Sequence, residues 1–143
     1  MTTFDHFSMN DAISAVCKHA NEMGISVTIS IVNSAGLQSG MLRMPNSFLA
    51  SIDYAFWKAW TAASFSMSTT GFSEMLRTLP EEIRAGLLEH PNATALPGGV
   101  PVIFRDELLG AVGISGGSGE QDNSLARLAA DTLLDAAAQN APG

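Results

Sequence analysis

The chain has 143 residues, the size of one ordinary domain, with 46% hydrophobic and 15% charged residues and a formal charge of −7 at pH 7. Only seven Lys and Arg stand against fourteen acids, which argues against nucleic acid as a partner, because proteins that grip a phosphate backbone gather positive charge on one face. No apolar run approaches the length of a membrane span, and Met1-Thr2-Thr3-Phe4-Asp5 lacks a basic region followed by an apolar core, so one cytoplasmic domain over 1–143 without a membrane partner is expected.

The sparse charge predicts apolar surface buried between copies, that is, a homo-oligomer. Cys17, the one cysteine, has no internal disulfide partner and sits at an apolar helical position, which reads as a buried thiol.

In chain order, Ser8 is placed to cap a helix whose apolar stripe runs through Ala12, Ile13, Val16, Cys17, Ala20 and Met23 and closes at Gly24. The period then shortens to two: Val27, Ile29 and Ile31 alternate with Thr28, Ser30 and Val32 in a strand. Asn33-Ser34-Ala35-Gly36 makes a turn, and Leu37 to Met44 returns as its hairpin partner before Pro45-Asn46 breaks the ladder. Ser47 is read as the cap of a helix from Phe48 to Phe65 that is hydrophobic almost all round and so must be covered on more than one side. Asp53 and Lys58 are its only charges. Five residues apart, they lie about 140° apart around the helix and do not form an i,i+4 pair, so each needs a partner elsewhere or a route to water.

Two short helices follow, Phe72 to Leu79 and a second opening at Pro80-Glu81-Glu82 and running to Leu88, then an irregular stretch from Glu89 to Leu96. Val100 to Arg105 and Leu108 to Ser115 form a second hairpin across Asp106-Glu107. Ser118 and Gln121 have capping-box spacing and open a final helix faced by Leu125, Leu128, Ala129, Thr132, Leu133 and Ala136, with a frayed tail from Asn140 to Gly143.

The densest feature is Gly98-Gly99-Val100-Pro101 through Gly110-Ala111-Val112-Gly113-Ile114-Ser115-Gly116-Gly117 to Glu120-Gln121-Asp122. It fits neither common nucleotide fingerprint: Glu120 follows Gly119 where a P-loop needs Lys, and Asp122 stands where a Rossmann loop needs its third glycine. Gly113-Ile114-Ser115-Gly116-Gly117 matches the letters of a nucleophile elbow, but no histidine follows Ser115 to complete a triad. The glycines serve either close strand-to-helix packing or contact with a ligand. Glu120 and Asp122 are explained by the helix macrodipole as well as by acid/base work. His6, His19 and His90 lack metal-ligand spacing, so no metal-ion site is expected.

These blocks, together with Ile31-Val32-Asn33-Ser34-Ala35-Gly36, Arg43-Met44, and Ile52-Asp53 through Lys58-Ala59-Trp60-Thr61-Ala62, resemble the GlcG/HbpS family, which includes the C-terminal domain of the PduO adenosyltransferase. The resemblance covers nearly the whole chain. It implies an α/β (α+β) profilin-like sandwich: an antiparallel sheet of about five strands, with the terminal helices on one face and the middle helices on the other. It also implies dimers or higher oligomers and a small-molecule ligand, with haem the foremost cofactor and a corrinoid the lesser. His19 matches the first-helix histidine that the family associates with haem. Asn33 and Pro45-Asn46 depart from the family pattern, where aspartates are usual, and leave room for a different, less cationic ligand.

Two functions follow. The first is an oligomeric ligand-binding protein holding haem or a corrinoid-like tetrapyrrole on His19, with Arg43, Gly98, Gly99, Ser115, Gly116 and Gly117 as ligand-binding residues. The alternative is a metal-independent isomerase, hydratase or lyase acting on an organic acid or carbonyl compound. In it the substrate carboxylate sits on the N–H groups near Gly116-Gly117 and on Arg43, and Asp53, Lys58 or Glu120 moves protons.

Overall fold

The computed structural model describes residues 4–142. The elements follow in the order α1 (His6–Met23), β1 (Thr28–Asn33), β2 (Gln38–Arg43), α2 (Ser51–Phe65), α3 (Thr69–Arg77), α4 (Glu81–Leu88), β3 (Gly99–Phe104), β4 (Glu107–Ser115) and α5 (Gly119–Asn140). The two hairpins join through β1 and β4 into one antiparallel sheet of order β2-β1-β4-β3. The sheet has four strands, not about five, because the only stretch left over before β3 carries Pro91 and Pro97 and pairs with side chains instead of strands.

Period-two alternation divides the sheet into two unlike faces. Ile29, Ile31, Val100, Val102, Val112 and Ile114 point to one side, where Ala12, Val16 and Ala20 of α1 and Leu125, Ala126, Ala129 and Leu133 of α5 complete an aliphatic core. The other side presents Thr28, Ser30, Val32, Gly99, Ala111, Gly113 and Ser115, and α2 lies on it. The helix meets this face with Ser51, Ala55, Lys58, Ala59 and Ala62 and turns its aromatic residues Tyr54, Phe56, Trp57 and Trp60 to half-buried flanks. The terminal helices are thus on one face and the longest middle helix on the other, as the resemblance implies.

The approach of α2 is close because Gly113 has no side chain: a Cβ there would collide with the Ala55 carbonyl oxygen.

Several termini differ from expectation in detail. The cap of α1 is Asp5, whose carboxylate accepts from the Ser8 backbone N–H at 2.7 Å, so Ser8 lies inside the first turn. Gly24 closes the helix in the left-handed conformation at φ 74°. Helix α2 starts at Ser51, not Phe48, and Ser47 donates its hydroxyl to the Met44 carbonyl instead of capping it. The Ser118–Gln121 capping box of α5 is complete, and that helix persists through Asn140; Gly143 lies outside the described residues.

Two hydroxyls tie the irregular middle to the sheet. Thr61 donates to the Asn92 carbonyl and accepts from Thr94 N–H at 3.0 Å, and Thr69 accepts from Gly99 N–H at 3.0 Å. These contacts deliver Pro97 and Gly98 to the end of β4, beside the start of α5.

Candidate functional site

At that end of the sheet, β4 stops at Ser115 and the chain must reverse direction to enter α5. Gly116 makes the reversal at φ 141°, and a Cβ there would collide with the Ser26 carbonyl. The turn is then locked by a side chain from α5: Asp122 Oδ1 accepts from Gly117 N–H at 2.8 Å. Its other oxygen, Oδ2, accepts from Lys58 Nζ of α2 at 3.0 Å, and Nζ also donates to the Ile114 carbonyl at 2.8 Å. Lys58 and Asp122 are 3% and 4% exposed. Lys58 therefore has its partner 64 residues away, and Asp53 is not that partner.

Burial governs the electrostatics of this pair. Desolvation pushes the Lys58 ammonium below its usual value, and the Asp122 carboxylate, by attracting the charge and accepting its hydrogen bond, opposes that shift. Desolvation likewise raises Asp122 above the usual carboxylate range, against the opposing effects of Lys58 and of the Gly116 and Gly117 N–H groups. In both groups the cost of leaving water exceeds the mutual attraction, as is common for buried ion pairs.

Above the pair lies a cavity of ≈ 240 Å³, lined by Phe48, Tyr54, Lys58, Leu96, Pro97, Ser115, Gly116, Gly117, Gly119 and Asp122. It brings together Lys58, Ser115, Gly116 and Gly117 of the expected residues. Gly98 is packed beside the pair, where an added Cβ would come 3.1 Å from Lys58 Nζ, and Gly99 lies against the Lys58 carbonyl; both make room for α2.

The other expected residues lie elsewhere. Arg43 donates to the Ser47 carbonyl in the loop before α2. Asp53 is exposed and borders a separate open cleft of ≈ 380 Å³ with Gly36, Leu37, Gln38, Ile52 and Phe56. Glu120 is exposed and lines a further cleft with Thr70, Pro97 and Asn123. His19 is exposed on α1, across the sheet from α2, with Nδ1 3.0 Å from the Ala15 carbonyl. Asp122, for which the sequence leaves acid/base work and the helix macrodipole as alternatives, is central to the cavity, and Tyr54 and Leu96, which read as core and loop, line it without being among the sequence-derived site residues. The signal that could have found Asp122 is the lone lysine of a nearly uncharged helix, which requires a buried acid. Among the described residues no cluster of three His, Cys, Asp or Glu side chains could hold a metal ion, and no helix is long and apolar enough to cross a membrane.

Known proteins are similar to this chain in sequence and fold. The chain is 34% identical over 121 residues to a 15.0 kDa protein of the dhaT–dhaS intergenic region of Citrobacter freundii, covering 85% of this chain and 82% of that one. It is 35% identical over 117 residues to the corrinoid adenosyltransferase PduO of Salmonella typhimurium, covering 80% of this chain but spanning only 34% of that enzyme. Among solved structures, the haem complex of PduOC superposes with a TM-score of 0.83 at 27% identity, over 92% of this chain and 95% of that one. The family model described as haem-degrading protein HbpS-like matches residues 4–131, and the chain belongs to that family.

Proposed function

We propose that this protein binds haem as a homo-oligomer and that His19 would hold its iron. The observation that carries the reading is the His19–Ala15 hydrogen bond. A carbonyl only accepts, so Nδ1 carries the proton; in the neutral ring this leaves the lone pair on Nε2. A backbone carbonyl holding one imidazole nitrogen is the usual way a metal-binding histidine is oriented and its free nitrogen made more basic.

The other two histidines are less suited. His90 Nδ1 accepts from Asn92 N–H, which leaves the proton of the neutral ring on Nε2, and its ring stacks on Trp60 at 4.3 Å. His6 packs its ring on Phe7 at 4.1 Å.

Haem, when bound, supplies an iron that accepts an imidazole nitrogen. The chain's own part is to present Nε2 on a rigid helix, with exposed Met23 one turn further on as apolar surface for the macrocycle. None of the clefts described above includes His19 in its lining, and a second copy covering the other side of the ligand is in accord with the apolar composition. The existence of a haem complex with the same fold supports this reading.

Titration of the purified protein with hemin should give a Soret band that shifts or disappears in His19→Ala and persists in His90→Ala. An identical spectrum for the wild type and His19→Ala removes His19 from the account, and the absence of a protein-dependent band removes haem.

A further inference from the structure

The cavity over the Lys58–Asp122 pair is on the α2 side of the sheet, its lining includes no residue of α1, and the haem reading leaves it without a role. Its floor contains two polar groups that can donate hydrogen bonds. Ser115 is paired across the ladder with Thr28, so their side chains share the α2 face. Thr28 satisfies its hydroxyl with Ser51 at 2.7 Å. Ser115 lines the cavity and is only 3% exposed, and its hydroxyl can both donate and accept. Lys58 has three ammonium hydrogens, of which Ile114 and Asp122 take two, and it lines the same cavity. A hydroxyl and an ammonium hydrogen at the wall of one cavity can both donate to an acceptor that enters it.

The charge of the site selects what enters. Asp122 already neutralises Lys58 at 3.0 Å, so an anion would find no net positive partner, and the chain as a whole carries −7. A neutral acceptor oxygen meets no such penalty. Size selects as well: ≈ 240 Å³ corresponds to about eight waters at ~30 Å³ each, room for a compound of a few carbons and far below a tetrapyrrole. Phe48, Leu96 and Pro97 line the rest of the cavity with apolar surface.

We propose that this cavity is a second ligand site, binding a small uncharged carbonyl compound whose oxygen accepts from the Ser115 hydroxyl and from Lys58 Nζ while its alkyl end rests on Phe48, Leu96 and Pro97. The site is independent of haem and of His19.

The test is a titration of the ¹⁵N-labelled protein with 2-butanone, and with propionate as the anion of similar size, followed by amide shifts. Butanone should give saturable shifts at Ser115, Gly116 and Gly117, unchanged in His19→Ala. Ser115→Ala should weaken binding by about three- to tenfold, the effect of one neutral hydrogen bond. Leu96→Trp, at a 48% exposed lining position where folding is not at stake, should abolish it. Propionate should saturate at higher concentration than butanone or not at all. Shifts that do not saturate, saturable shifts unaffected by both variants, or tighter binding of propionate would each overturn the proposal.

Discussion

Lys58 and Asp122 meet at 3.0 Å across 64 residues of chain, and the contact ties the centre of α2 to the first turn of α5. The two partners are not equivalent. Removing the lysine leaves Asp122 its bond from Gly117, whereas removing the carboxylate strands both a buried ammonium and that N–H. Asp122→Ala should therefore cost about 3–5 kcal/mol, the usual penalty of an uncompensated buried charge. The double change Lys58→Met with Asp122→Asn removes both charges and keeps an acceptor for Gly117, and it should come within about 1 kcal/mol of the wild type or exceed it. Urea unfolding of the three proteins compares them directly; a double variant as unstable as Asp122→Ala contradicts the argument.

The pair also sets a pH dependence. The native state holds the Asp122 proton more tightly than the unfolded chain does, so between 3.8 and the raised native value unfolding releases a proton and this group's stabilising contribution falls as pH rises. For Lys58 the native value lies below 10.5, the unfolded chain holds the extra proton in that window, and stability from this group rises with pH there. The carboxyl ¹³C shift of Asp122 should titrate with a midpoint above 3.8; a midpoint at or below it would show that attraction, not desolvation, dominates.

Two glycine substitutions should act in opposite directions. Gly113→Ala forces a methyl group into the Ala55 carbonyl and should destabilise by about 1–3 kcal/mol or more. Gly86→Ala, inside α4 with nothing within 4 Å of the added carbon, should stabilise by about 0.4–1 kcal/mol through the unfolded chain. Thermal melts of the two variants separate these cases, and equal melting shifts would refute the packing account of Gly113.

At the first helix, Asp5→Ala removes the cap that Ser8 N–H uses and should lower the denaturation midpoint. Ser8→Ala leaves that backbone bond intact and should change stability by less than about half as much. A reversed order in chemical denaturation would restore Ser8 as the cap.

Periodicity made most of the architecture readable, because an apolar stripe at 3.6 and alternation at 2 are properties of local sequence. Both hairpins, the helix closure at Gly24 and the capping box at Ser118 are of that kind. What local pattern cannot reveal is which elements approach closely. Helix α2 reads as apolar all round, yet it is the alanines that meet the sheet, since only Gly113, Ala111 and Gly99 opposite leave space so shallow. The strand count failed for a related reason: tertiary hydrogen bonds from Thr61 hold the stretch before β3 without any ladder. In the same way, the partner of Lys58 is set by the route of the chain around Gly116, and an acid at a helix start already had an adequate local explanation.

The seam of small residues between α2 and β4 also divides the cavity into parts with different freedom to vary. Its floor admits little added volume, because a Cβ at Gly116 would meet the Ser26 carbonyl and one at Gly117 the side chains of Ile25 and Gln121. Its mouth is held by Phe48 and Leu96, which are exposed in loops, with the Phe48 ring 6.5 Å from that of Tyr54. A change of ligand, whether by drift or by design, is thus accessible by exchanging those two side chains over an unaltered base, and a library confined to positions 48 and 96 would sample new specificities without sampling new folds.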